Sequence, residues 1–203
     1  MAPGPAETHI MIAGHFGFAA GVKGTQPATP LWSLMAATVW LDIVFVPLFA
    51  AGVETTETVP GTSGGYGNTV IHADYTHSLL GAMVLSLAYG AFFLRAWGAR
   101  IAAVLAAVSF SHWLLDLLVH RSDLPLLPGN AGGLPLLGFG LWRIPPLAIG
   151  LEAVLVVGGA LLYWRSASRV SRRAGRGQGR AAGLAAAIAL AGLITLTVDA
   201  LLG

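Results

Sequence analysis

Two histidines and an aspartate lie four residues apart in one apolar segment of the chain. His112, Asp116 and His120 would therefore project from the same side of an α-helix. Imidazole and carboxylate groups at this spacing can bind one metal ion, or the carboxylate can orient a histidine that does. A buried histidine that hydrogen-bonds to an aspartate would also explain His112 and Asp116, and His120 could lie in the headgroup region beside Arg121.

Two further candidate ligands lie nearer the N-terminus. Asp42 is a lone carboxylate in an apolar segment, where it would need a proton, a metal ion or a histidinium partner. His15 lies between Gly14 and Gly17, so another helix could approach it closely. We favour His15 as a ligand and keep His9, nearer the terminus, in reserve.

A third group of candidates opens the segment that begins near residue 72. We expect Asp74 to be the N-cap of a helix and His77 to lie in its first turn, where the helix dipole favours a neutral, ligating imidazole. His72 would precede this helix and could fold back onto the site.

These residues together indicate a divalent metal site. Imidazole and carboxylate ligands suit Zn²⁺, Mn²⁺ or Fe²⁺, and the usual order of affinities together with availability favours zinc. The chain has no cysteine, which excludes thiolate ligands. We predict His112 and Asp116 as catalytic residues, and the predicted metal ligands are His15, Asp42, His72, His77, His112, Asp116 and His120.

The composition is that of an integral membrane protein. Of the 203 residues, 56% are hydrophobic and only 10% are charged, whereas soluble domains are nearer a quarter charged. The sequence predicts an all-α, polytopic transmembrane bundle in a single domain, residues 1–203. About six segments could cross the bilayer, the first of them short: 7–22, 31–51, 75–96, 101–120, 144–165 and 181–202.

The arginines predict the orientation of these segments. Residues 165–180 contain six arginines and no acid, which favours a cytoplasmic loop over a nucleic-acid-binding site. The acidic loop 52–71 and the loop 121–143 would then lie outside. The candidate ligands would gather in the outer half of the membrane, and we expect a bacterial inner membrane protein whose site faces outward.

The motifs resemble those of a known family. His72 and Thr76-His77-Ser78, followed by Ser111-His112-Trp113-Leu114-Leu115-Asp116, resemble the membrane-bound metal-dependent hydrolases, and the run from Ser111 to Gly129 is similar to one subgroup of them. More distantly the pattern is similar to zinc-dependent phospholipase C. The resemblance implies a helical bundle with a His/Asp metal site and hydrolase activity. The chain departs from the distant pattern at Ala148, where an HxxxE motif ending at Glu152 would begin with histidine.

Three functions stay open at this point. A hydrolase would act on a lipid or lipid-linked phosphoester that enters from the outer leaflet, with loop 121–143 as a lid. A non-catalytic subunit with a protein partner would use the metal or the His/Asp cluster only to fix helix packing. A small transporter would use the ionisable residues as a relay, but it would need polar groups that reach both faces.

Glu152 is an acid within the predicted apolar segment 144–165, where its charge would be buried. Arg143, next to the outer end of that segment, is the expected partner of this charge.

Overall fold

The protein is mainly helical. The computed structural model describes residues 12–61, 68–175 and 177–202. In these residues the α-helices are α1 (Ala13–Thr25), α2 (Leu31–Thr38), α3 (Trp40–Ala50), α4 (Leu79–Val119), α5 (Pro145–Arg173) and α6 (Gly179–Leu202). Two short strands, β1 (Thr55–Thr58) and β2 (Thr69–His72), lie between α3 and α4, and 3₁₀ turns lie at Pro128–Asn130 and Leu141–Arg143.

Three of the described helices, α4, α5 and α6, are long and apolar enough to span a bilayer. The predicted segment 31–51 consists of α2 and α3, which meet at an angle of 47° and together could form one broken span. Of the predicted segment 7–22, residues 7–11 lie outside the described residues and the rest falls mainly in α1, whose 13 residues extend only about 20 Å. The protein is therefore an integral membrane protein by length and composition, whereas six complete spans stay a prediction.

Helix α4 is a hairpin of two antiparallel arms. Gly98 has φ +79° and ψ 167°, a conformation that glycine adopts without steric cost, and it interrupts the helix near its middle. Ser86 Oγ donates to Ser109 Oγ at 3.0 Å, although 23 residues separate them. A Cβ atom on Gly90 would lie 2.5 Å from the carbonyl oxygen of Ala102. The two arms correspond to the predicted segments 75–96 and 101–120.

Helix α1 packs closely against α5 through glycines. A Cβ atom on Gly17 would lie 2.5 Å from the Leu155 carbonyl oxygen, and one on Gly159 would lie 1.9 Å from that of Gly17. Small residues let helix backbones approach in a bilayer, where van der Waals packing drives association. The expectation that glycines beside His15 admit a neighbouring helix is therefore confirmed for Gly17.

The loop between α3 and α4 differs from the prediction. The all-α prediction missed the antiparallel pair of β1 and β2, in which Thr55 is paired with His72, because two four-residue runs of mainly β-branched side chains are too short to stand out. The N-cap of α4 is Ser78, whose Oγ accepts from the Gly81 amide at 3.0 Å. The prediction of Asp74 as the cap was wrong, and His77 precedes the helix instead of lying in its first turn.

Most of the described basic residues gather at one end of the bundle, and Arg121 and Arg143 lie at the other. Arg100, just after the turn of α4, donates to the Gln26 side chain beyond the end of α1 at 3.4 Å. Lys23 of α1 and Arg180 of α6 line one groove. We call this the basic end. The His/Asp residues lie at the opposite end, where His120 ends α4 and packs against Trp142, just before α5.

Candidate metal centre

Five ionisable side chains from four parts of the chain meet at the end opposite the basic end. The side chains of His15, His77, His112 and Asp116 are buried, and that of Asp42 is only 17% exposed. They come from α1, α3, the residue before the N-cap of α4, and the last turns of α4. The structure thus brings together most of the predicted ligands, and we call these five residues the His/Asp cluster.

Three atoms of the cluster form a nearly equilateral triangle. Asp42 Oδ1 lies 3.5 Å from His77 Nε2 and 3.4 Å from His112 Nε2, and the two nitrogens are 3.3 Å apart. Bonds of about 2.0–2.1 Å to a tetrahedral zinc would separate neighbouring ligand atoms by about 3.3–3.4 Å. An octahedral ion with bonds of about 2.1 Å would separate them by about 3.0 Å. The triangle therefore fits one face of a tetrahedral site.

Asp116 lies beside the same two imidazoles. Its Oδ2 is 3.1 Å from His112 Nε2 and 3.6 Å from His77 Nε2, while its Oδ1 is 3.4 Å from His15 Nε2. Oδ2 has no hydrogen-bond partner of acceptable geometry among the described residues, and neither does Oδ2 of Asp42. Buried carboxylate oxygens are normally satisfied. These two therefore leave capacity for a cation or for water.

A break in a helix orients His112. Between α2 and α3, Val39 has φ −117° and ψ 17°, which interrupts the helical hydrogen bonds. The carbonyl oxygen of Thr38 instead accepts a hydrogen bond from Nδ1 of His112 at 2.7 Å. Because a carbonyl can only accept, Nδ1 carries a proton, and Nε2 is the ring nitrogen that faces the cluster. The same break starts α3, so that Asp42 lies in its first turn, where the helix dipole favours a carboxylate.

His77 is held by a different group. Its Nδ1 lies 2.8 Å from Thr76 Oγ1, which in turn lies 3.0 Å from both carboxylate oxygens of Glu54. The indole Nε1 of Trp113 donates to the His77 carbonyl at 2.8 Å. Glu54 is fully buried, and sequence analysis missed it. The signals available were only an acid just after an apolar helix and a threonine beside a candidate ligand.

His15 lies at the edge of the cluster. Its ring stacks on that of His112 with centroids 4.1 Å apart, and Thr38 Oγ1 donates to its carbonyl oxygen. His15, His112 and Asp116 form a second group whose ligand atoms lie within 4.8 Å of one another. His15 Nδ1 has no hydrogen-bond partner in the described part of the chain.

Two other predicted histidines, His72 and His120, are not part of the cluster. The structure places His72 on β2, partly exposed, with Nε2 3.6 Å from Glu57 Oε2. The preceding residue, Ile71, lines the cavity beside the cluster, and successive side chains of a strand point to opposite faces. His120 lines the cavity into which the cluster opens, but its Nδ1 is hydrogen-bonded to Asp123 Oδ1 at 3.0 Å. His9, held in reserve, lies outside the described residues.

The cluster opens into a small cavity. Its volume is about 30 Å³, which holds one or two small species such as an ion and a water. Thr56 and Ile71 of the strands, Phe45 of α3 and Trp142 complete its walls. The two strands and the end of loop 121–143 thus cover the site together, whereas the sequence predicted that loop alone as a lid.

Glu152 is buried next to α1. Its Oε2 accepts from the amide of Gly14 at 3.0 Å, the residue before His15. Arg143, its expected partner, is exposed. The hydrogen bond between Glu152 and Gly14 ties α5 to the beginning of α1.

No family model, curated protein or solved structure matches the chain. The resemblance to membrane-bound metal-dependent hydrolases therefore rests on its sequence motifs alone and stays a prediction. The geometry adds that the chain holds a buried group of histidines and aspartates that could bind a metal ion.

Proposed function

We propose that the protein is a metal-dependent hydrolase of the membrane that acts on a lipid or lipid-linked phosphoester. The observation that carries the proposal is the triangle of Asp42 Oδ1, His77 Nε2 and His112 Nε2, with sides of 3.3–3.5 Å. In this proposal the three residues hold a divalent ion and leave further coordination positions open, as catalytic zinc sites do.

Zinc is the proposed metal. The sides of the triangle agree better with tetrahedral than with octahedral coordination. Two imidazoles and a carboxylate also suit zinc, and the order of divalent affinities favours it over manganese and iron. When bound, the ion would polarise the ester oxygen and lower the pKa of a bound water to near neutrality.

The chain's own residues would complete the reaction. Asp116 Oδ2 lies beside both Nε2 atoms, has no hydrogen-bond partner among the described residues, and would accept the proton of the attacking water. His112 is held by the Thr38 carbonyl, so that it would present Nε2 without reorganisation. Phe45, Ile71 and Trp142 would limit the access of bulk water.

A lipid substrate is favoured by the surroundings of the cavity. Its walls are mainly apolar, and the neighbouring helix α3 exposes Ile43, Val46 and Phe49. A ligand with an acyl chain could therefore reach the site from the bilayer. The arginine rule would place the basic end in the cytoplasm of a bacterial cell and the site on the outer side of the inner membrane.

A non-catalytic subunit is the second candidate, and one observation favours it. Asp116 Oδ2 is close enough to both imidazole nitrogens to act as a fourth ligand, which would close the site as in structural zinc centres. A transporter is disfavoured, because buried apolar residues lie between the cluster and the basic end, among them Leu34, Ala37, Leu105 and Val108.

The test combines metal analysis with an assay of lipid phosphoester cleavage. Purified protein should contain a stoichiometric divalent metal and cleave a lipid phosphoester when loaded with zinc. Asp116→Asn should retain the metal and lower the rate by about 10²–10⁴-fold, the usual contribution of a general base. Asp74→Asn, outside the cluster, is the matched control and should be fully active. Undiminished activity of Asp116→Asn would remove this residue from the mechanism, and a metal-loaded protein inactive on every lipid ester would favour the subunit.

A further inference from the structure

Glu54 is a fully buried acid that the proposed reaction does not use. It lies in the short connection between α3 and β1. Its Oε1 accepts from the backbone amides of Tyr75 and Thr76 at 2.9 and 2.8 Å. Both of its carboxylate oxygens lie 3.0 Å from Thr76 Oγ1. A carboxylate buried with three donors around it is well satisfied as an ion.

The direction of the Thr76 hydroxyl follows from these contacts. A hydroxyl has one proton, and Thr76 Oγ1 faces both Glu54 and Nδ1 of His77, the latter at 2.8 Å. A hydroxyl oxygen 3.0 Å from a carboxylate requires a proton between them, because two oxygen lone pairs would otherwise repel each other. Thr76 therefore donates to Glu54, and its lone pair faces His77.

We propose that Glu54 is a positioning residue that acts through Thr76 to keep a proton on Nδ1 of His77. Nε2 is then the ring nitrogen that faces Asp42 and His112 and is available to a ligand. A similar result is reached at His112, where Nδ1 donates a hydrogen bond directly to the Thr38 carbonyl. The proton on Nδ1 of His77 follows from its contact with Thr76 and not from a metal. Nε2 lies 3.3 Å from His112 Nε2 and 3.5 Å from Asp42 Oδ1, so the use of its lone pair by a metal ion rests on the proposed function.

Three substitutions separate this role from simple packing. Glu54→Gln has nearly the same shape and can still accept from the two backbone amides, but its amide group would donate to Thr76. The Thr76 hydroxyl would then donate to Nδ1 and leave the proton of His77 on Nε2. Thr76→Val removes the hydroxyl and retains the backbone contacts to Glu54, whereas Thr76→Ser retains the hydroxyl. Glu57→Gln, an exposed acid on β1, is the control.

The first readout is the tautomer itself. The ¹⁵N chemical shifts of histidine-labelled, metal-free full-length protein in detergent micelles distinguish a protonated Nδ1 from a protonated Nε2, and the loss of signals in His77→Gln assigns them. We expect Nδ1–H in the wild type, Thr76→Ser and Glu57→Gln. We expect Nε2–H in Glu54→Gln and a mixture of both tautomers in Thr76→Val.

The second readout is the affinity for Co²⁺, whose absorption reports binding. Loss of an outer-shell partner typically weakens metal binding by about 10–100-fold, and we expect this for Glu54→Gln and Thr76→Val, with wild-type affinity in Thr76→Ser. An unchanged tautomer and an unchanged affinity for Co²⁺ in both Glu54→Gln and Thr76→Val would overturn the inference. So would a loss confined to Glu54→Gln, because Glu54 would then only anchor the backbone. A wild-type protein with Nδ1–H that binds no cobalt would support the inference and contradict the metal centre.

Discussion

The two ends of the bundle place their ionisable side chains in opposite environments, one in solvent and the other in the protein interior. At the basic end, the arginines that the structure describes are exposed: Arg95, Arg100, Arg165, Arg169, Arg172, Arg173 and Arg180. At the other end, the His/Asp cluster is largely buried. Nδ1 of His112 is hydrogen-bonded to a backbone carbonyl, and Nδ1 of His77 to a threonine hydroxyl. Solvated charges need no specific partner, whereas buried ones are costly unless paired.

This contrast separates two uses of ionisable residues in a membrane protein. The basic end can set the orientation of the chain in the membrane. Its side chains can be replaced individually, because only their positive charge and the side of the membrane on which they lie matter. Metal binding by the His/Asp cluster would instead depend on the position of each ligand atom. Substitutions should therefore be tolerated at the basic end and should abolish metal binding at the cluster.

The largest effect is expected when the cluster itself is removed. His77→Ala, His112→Ala and Asp116→Ala combined should reduce the metal content of purified protein to background, because few donors would be left around the centre. The control is a triple variant of the basic end, Arg169→Gln, Arg172→Gln and Arg173→Gln, whose metal content should equal that of the wild type. Metal that persists in the first variant would show that the ion binds elsewhere.

The second prediction tests whether the two ends face opposite sides of the membrane. The chain has no cysteine, so Ser122→Cys and Gln178→Cys each introduce a single thiol at an exposed position. A membrane-impermeant maleimide should label Ser122→Cys in intact cells and Gln178→Cys only after the membrane is opened. Labelling of both from the same side would contradict the orientation that the arginines predict.

A smaller effect is expected from the packing that supports the cluster. Gly17→Ala should lower the free energy of unfolding by about 1–3 kcal/mol, because the new Cβ would collide with the α5 backbone at Leu155. Thermal unfolding in detergent measures the change. The matched control is Gly158→Ala, where nothing lies within 4 Å of the new atom. Equal melting temperatures for the two variants would mean that α1 and α5 are not in close contact in solution.

The smallest effect is expected at His72. Its exposed contact with Glu57 should contribute less than about 1 kcal/mol, and His72→Gln should bind metal like the wild type. His77→Gln is the comparison and should lose most of the affinity. Comparable losses in the two variants would show that His72 folds back onto the cluster after all, as the sequence allowed.

Residues on regular helices were the easiest to predict from sequence. The four-residue spacing of His112 and Asp116 implies a shared face on any helix, so their proximity needed no knowledge of the tertiary fold. Asp42 and His15 could be inferred because an ionisable residue in an apolar segment needs a partner. The structure brings all four together, whereas their binding of a metal stays a prediction.

The parts that could not be predicted depend on chain breaks and irregular segments. Glu54 lies in a connection without periodicity, and its contact with Thr76 exists only once the loop has closed. The interruption at Val39 involves neither glycine nor proline, the usual signals for one. His72 was misplaced for a similar reason, because a four-residue strand decides its direction.

The interruption at Val39 also sets a limit on how far this protein could be made more regular. A continuous helix through residues 31–50 would form additional internal hydrogen bonds and would be the better helix by itself. It would also occupy the Thr38 carbonyl that His112 needs, and it would remove the 47° bend between α2 and α3 that sets the direction of α3. Asp42 would then point elsewhere. At this position, evolution or design that rewards helical stability works against the geometry of the His/Asp cluster, so the irregular backbone should persist as long as that geometry is needed.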